Sequence, residues 1–359
     1  FFRETIDADT VFRTTANVAM AGAMSATSIL WLQLNRPELY EKTHRFGHVN
    51  TMVAHWLTGE FAIDPSNASY TGLFDTVHTQ QWSLSFCQKL GIDPEKLPTV
   101  RKSHEVAGGL KCREWIALGL PAGTPVVIGG ADTACASLAA GVLHHNEVCE
   151  SVGTTNVLTV CVDQPIFDRR FLNRCHVLEG RWLYHGAISH AGSSLSWFLE
   201  QFCPDLKSRA EVEKTSSFAL MDREAALSQP GAKGIVFLPY MQGERSPVWD
   251  AQARGVFFGL SLESNRADMT RSILEGCGYA LHQLIGIAES VTGQKIKKLA
   301  SMGGGAKSRL WAQIKADITG VDFEIMNLNH AAAIGAAMLA MMGTGVALDL
   351  EEYQQKIEN

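Results

Sequence analysis

The sequence predicts an α/β protein of two domains. Three observations carry this. The chain has 359 residues, more than one ordinary hydrophobic core accommodates. From residue 125 onward, short β-branched runs alternate with segments of helical period, the pattern of an α/β fold. Glycine-rich turns at 129–130, 153 and 303–305 each follow a predicted strand, so the backbone turns sharply at strand ends and leaves room for a ligand.

Residues 1–60 read mainly as helix. Asp7 to Thr10 can cap a helix over 11–18. A second helix over 26–34 breaks and restarts at Arg36-Pro37-Glu38, and a third over 49–57 ends at Thr58-Gly59, a C-cap signal. Residues 60–76 read as a loop with short extended pieces, and 82–90 as a helix stopped by Gly91. Leu120-Pro121-Ala122-Gly123 is turn chemistry. The period then changes. Strands are predicted over 125–128, 148–151, 156–162, 182–185, 234–238 and 298–302. Helices are predicted over 132–140, 193–202, 266–291, 308–319 and 331–342. Residues 141–147 interrupt the pattern and mark the domain boundary, giving units 1–145 and 146–359.

The bulk numbers exclude several classes. Hydrophobic residues make up 46% and charged residues 19%, an ordinary globular composition. The net charge is −6 and there is no Lys/Arg-rich run, so a nucleic-acid partner is not expected. No apolar run has the length of a membrane span. The eight cysteines form no CxxC pair, which argues against a zinc or redox motif and fits small buried residues in a reducing cytoplasm. His44 and His48 read as surface histidines.

The first turn is Ile128-Gly129-Gly130-Ala131-Asp132-Thr133. Taken alone, Asp132 reads as the cap of the following helix. A carboxylate at a strand end beside a domain boundary can also accept a proton from a hydroxyl that attacks a phosphoryl group. The second turn, Ser151-Val152-Gly153-Thr154-Thr155-Asn156, offers N–H and O–H donors to phosphate, although such turns are common in hairpins. The third, Met302 to Trp311 through Gly303-Gly304-Gly305, lets a flat base or ribose lie against the backbone. Its spacing to Lys307 is not that of a Walker A loop, and it is not GxGxxG.

Together these segments resemble the FGGY carbohydrate kinases. The likeness runs through residues 57–76, the Leu120 to Cys135 segment, Leu238-Pro239-Tyr240-Met241-Gln242-Gly243-Glu244-Arg245-Ser246-Pro247-Val248-Trp249-Asp250 with Ala253 to Leu260, and residues 303–342. The resemblance implies an actin-like, ribonuclease H-like two-domain ATPase fold. It implies transfer of the ATP γ-phosphoryl group to a sugar or polyol hydroxyl. Asp132 falls on the family's catalytic base, and Gly153 and Thr154 fall in its phosphate turn. Gly192 and Ser196 match positions lining the nucleotide site, and Gly304, Gly305 and Ser308 match positions cradling adenosine. ATP with Mg²⁺ is implied, with no metal ligand assigned in this chain. The Gly243 to Pro247 segment most resembles those of xylulose kinases, whereas Val248 to Asp250 leans toward gluconate and glycerol kinases. A ketopentose such as xylulose is the expected acceptor, with a gluconate- or glycerol-type acceptor as the alternative. A homodimer is compatible with this reading, and a cytoplasmic location is expected.

Two departures qualify the resemblance. The family's N-terminal strand with its own phosphate turn has no counterpart here, nor has the segment after it. The first domain is therefore expected to be incomplete, the end at Asn359 short, and the chain alone inactive. Such a chain also reads as a non-catalytic remnant that binds nucleotide or sugar. His330 stands where many members have glutamate, which puts the local polar contacts in doubt.

Overall fold

The computed structural model describes residues 1–19, 24–346 and 349–352, so the chain end at Asn359 lies outside them. The strands are β1 Ala62–Ile63, β2 Thr99–Val100, β3 Val106–Gly109, β4 Pro125–Val127, β5 Val148–Val152 and β6 Asn156–Val162. They continue as β7 Leu172–Cys175, β8 Trp182–Ile188, β9 Val236–Leu238, β10 Val256–Phe258, β11 Lys298–Met302 and β12 Asp322–Ile325. Six of these build the main sheet in the order β12-β11-β5-β6-β8-β7. β5, β11 and β12 run parallel, and β5, β6, β8 and β7 pair antiparallel in succession. The sheet's first strand in the chain, β5, thus lies mid-sheet, with the antiparallel strands β6, β8 and β7 on one side and the parallel strands β11 and β12 on the other. This is the arrangement of an actin-like ATPase domain, as expected.

Side-chain alternation gives the sheet two apolar faces. Val148, Val152, Leu158, Val160 and Tyr184 pack on one side with helices Ala191–Phe202, Arg266–Thr292 and Arg309–Thr319. Cys149, Cys161, Leu183, Ala300 and Met302 pack on the other with helices Asp132–Ala139 and Ala331–Gly343. The latter two helices cross at backbone contact, since a Cβ on Gly335 would lie 1.9 Å from the Cys135 carbonyl oxygen. The helix that begins at Asp132 is therefore fixed to the sheet of residues 148–325.

The first part of the chain is mostly helical, with the small pairs β1-β2 and β3-β4. Asp7 caps the helix Ala8–Thr15 by accepting from Thr10 N–H. That helix stops three residues before the expected 18, where Ala16 turns left-handed at φ 63°. A third apolar cluster, from Phe2 to Leu97, holds these helices together. Asn17 and Asn173 exchange hydrogen bonds of 2.7 and 2.9 Å and fasten this part to β7.

His44 is exposed, but His48 is half-buried and bonded to Ser25 Oγ at 2.8 Å, with burial pushing its pKa down. The expectation of two surface histidines therefore fails at His48, because residues 43–48 are not helical and the loop folds inward. All eight cysteines are free and buried. Among the described residues, no helix is long and apolar enough to cross a membrane.

Candidate active site

The β5-β6 turn is closed by the pair Val152 and Asn156, with Gly153 N–H donating to Thr155 O at 2.8 Å. The Thr154 carbonyl accepts from Ser193 N–H at 3.1 Å and Ser193 Oγ at 3.2 Å, which docks the turn on the start of the Ala191–Phe202 helix. This approach requires Gly192, because a Cβ there would lie 2.1 Å from the Gly153 carbonyl oxygen.

β11 runs into the third turn. Gly303 is left-handed at φ 96°, and a Cβ on it would meet the Val152 carbonyl oxygen at 2.6 Å. A Cβ on Gly305 would meet Val152 Cγ1 at 2.4 Å and Trp311 at 2.9 Å. The outer two of the three glycines, Gly303 and Gly305, thus let the third turn pack on the second. Gly304 differs: its backbone is right-handed helical, and a Cβ there would meet no heavy atom within 4 Å. Ser308 caps the Arg309–Thr319 helix by accepting from Trp311 N–H at 3.0 Å.

These pieces enclose one cavity of about 380 Å³. Gly153, Thr154, Gly192, Ser196, Gly304, Gly305 and Ser308 all line it, so every nucleotide-site residue expected from the sequence faces the same space. Three helix N-termini converge on it, those of Ala191–Phe202, Ser217–Ala225 and Arg309–Thr319. Free N–H groups and the helix dipoles make such ends favourable to anions. Phe218 supplies exposed apolar surface, with the buried side chains of Leu195 and Trp311 behind the wall. The combination suits a ligand with a flat apolar part and an anionic tail.

Sequence reasoning missed one wall. The Ser217–Ala225 helix brings Ser216, Phe218, Ala219 and Asp222 to the cavity. Its start was marked by Ser216, which accepts from Ala219 N–H at 3.1 Å, ahead of apolar residues at helical spacing. Burial pushes the Asp222 carboxyl above its ordinary range, against the pull of its hydrogen bond with Ser308.

Asp132 does not cap its helix. The N-cap is Ala131, and Asp132 is the first helical residue, exposed, its carboxylate accepting from Thr133 N–H at 2.7 Å. The neighbouring Thr133 hydroxyl accepts from Arg174 at 2.9 Å, so β7 steadies this end of the helix. Among the described residues, no three His, Cys, Asp or Glu side chains converge as a metal site.

Residues 2–139 match the FGGY family of carbohydrate kinases, N-terminal domain, and residues 149–344 the C-terminal domain of the same family. A xylulose kinase of Staphylococcus xylosus is 28% identical over 95% of this chain and 68% of its own length. An autoinducer-2 kinase of Yersinia pestis is 31% identical over 92% of this chain and 62% of its own. The chain therefore spans 62–68% of the length of these curated relatives. The crystal structure of a xylulose kinase from Rhodospirillum rubrum superposes with a TM-score of 0.87 at 26% identity, covering 98% of this chain and 69% of that one.

Proposed function

The chain belongs to the FGGY family of carbohydrate kinases, and from that premise we propose that its protein transfers the γ-phosphoryl group of MgATP to a hydroxyl of a sugar or polyol. The observation that carries this reading is the single cavity lined by both glycine turns and three helix N-termini. Adenosine lies against Gly304, Gly305 and Ser308, beside the exposed ring of Phe218. The phosphates extend toward Gly153, Thr154 and Gly192. Phosphoryl transfer depends mainly on positioning and on stabilising developing charge, which the helix termini provide. Mg²⁺ enters as part of the nucleotide substrate.

Asp132 acts as general base in this reading. It orients the acceptor hydroxyl and takes its proton as the phosphoryl group arrives. Its exposure and its freedom from a capping role support the assignment. The acceptor is a ketopentose of the xylulose type, in line with the names of the relatives. The autoinducer-2 kinases are as similar in identity, so their acceptor belongs among the candidates. The eight free thiols support a cytoplasmic location.

Acceptor-dependent ADP release tests the proposal, with xylulose, gluconate, glycerol and the autoinducer-2 substrate offered in parallel. The expected result is turnover fastest on the ketopentose. ADP binding with no turnover on any acceptor would favour the non-catalytic remnant.

A further inference from the structure

β5 carries a charge where its alternation calls for an apolar residue. Val148 and Val152 face the helix-covered core, and Glu150 between them faces the same way. Its side chain and that of Lys315 are each 0% exposed and form an ion pair. Glu150 also accepts from Ser301 Oγ at 2.6 Å and from Asn156 Nδ2 at 3.0 Å. Each partner belongs to a different part of the cavity's frame. Asn156 is the far stem of the 153–155 turn, and Ser301 lies two residues before Gly303, paired with Glu150 across β5 and β11. Lys315 is on the helix that starts at Ser308. Its ammonium lies 5.4 Å from the Trp311 ring and 5.0 Å from the Phe323 ring.

Stability alone accounts poorly for such a pair. Desolvating both charges offsets most of their attraction, and apolar replacements of similar volume are often neutral or stabilising. What the pair does provide is geometry. One carboxylate ties both stems of the phosphate turn to the strand that feeds the adenosine turn and to the helix behind it.

We propose that Glu150, with Lys315, is a positioning residue that holds the 153–155 turn and the 303–305 turn in register for nucleotide. This rests on the proposed nucleotide reading of the cavity. The register itself is a property of the free protein and can be measured without nucleotide.

The test uses the double variant Glu150→Leu/Lys315→Met, because a single change would strand a buried charge and could prevent folding. Amide hydrogen exchange on the free protein comes first. Exchange should speed up about ten-fold or more at residues 153–155 and 303–305, with β6 and β8 unchanged. Calorimetry with MgADP and with adenosine then follows. The ADP Kd should rise about ten-fold, roughly one well-aligned hydrogen bond lost, while adenosine shifts less. Unchanged protection at both turns overturns the inference, as does wild-type ADP affinity in the folded double variant. A wild-type protein that binds no ADP overturns the nucleotide reading instead, and the exchange data then decide the register claim alone.

Discussion

Gly304 separates ligand binding from folding more sharply than any other position in the cavity. Its backbone angles, φ −62° and ψ −40°, suit any L-residue, and a Cβ there meets no atom within 4 Å. Gly304→Val should therefore fold normally, with a stability change within about 0.5 kcal/mol, the usual range for an uncrowded site. The two methyl groups enter a cavity of about 380 Å³ that an adenosine group is to fill. Forcing extra carbons against a packed group costs about 1–3 kcal/mol, which corresponds to a loss in ADP affinity of about 5- to 150-fold. Titration calorimetry measures this and thermal melting checks the fold. A variant that melts like wild type and still binds ADP as wild type does would refute the placement of adenosine at this turn.

Gly192→Ala should behave differently. Its Cβ would lie 2.1 Å from the Gly153 carbonyl oxygen, so the phosphate turn must move; stability should fall by about 1–3 kcal/mol along with ADP affinity, seen in melting and calorimetry together. Asp132→Asn keeps the bond from Thr133 N–H and should leave melting and ADP affinity intact, while kcat falls by about 10²–10⁴; a near-normal kcat would remove Asp132 from the chemistry. Burial pushes the His176 ring down to about 4, and its neutral form serves both Val142 O and Leu178 N–H. The unfolded chain binds the proton first as pH falls below the free value of 6.5, so folding should weaken from there downward, by about 2 kcal/mol at pH 5; His176→Asn should flatten that part of the melting profile.

The frame of the site was legible where the local signal and the tertiary role coincide. β6 and β11 were read to their observed limits, and β5 to within one residue, because central strands buried on both faces show as short, mostly apolar runs next to glycine. β7 was not read, since Asn173 and Arg174 sit in it as buried polar residues that serve Asn17 and Thr133 in other parts of the chain. β12 and β10 alternate too weakly to stand out, lying at sheet edges. Asp132 looked like a helix cap in one dimension, yet Ala131 takes that position. Glu150 gave a signal that could have been used, a charge on the inward face of an apolar strand. Its partner lies 165 residues away, beyond any local pattern.

The central claim is that one cavity bounded by the 153–155 and 303–305 turns takes the nucleotide. A crystal structure of the protein with MgADP tests it most directly. The base is expected against Gly304 and Ser308 beside Phe218, with the β-phosphate at Gly153 and Thr154. Nucleotide bound elsewhere, with this cavity empty, would contradict it.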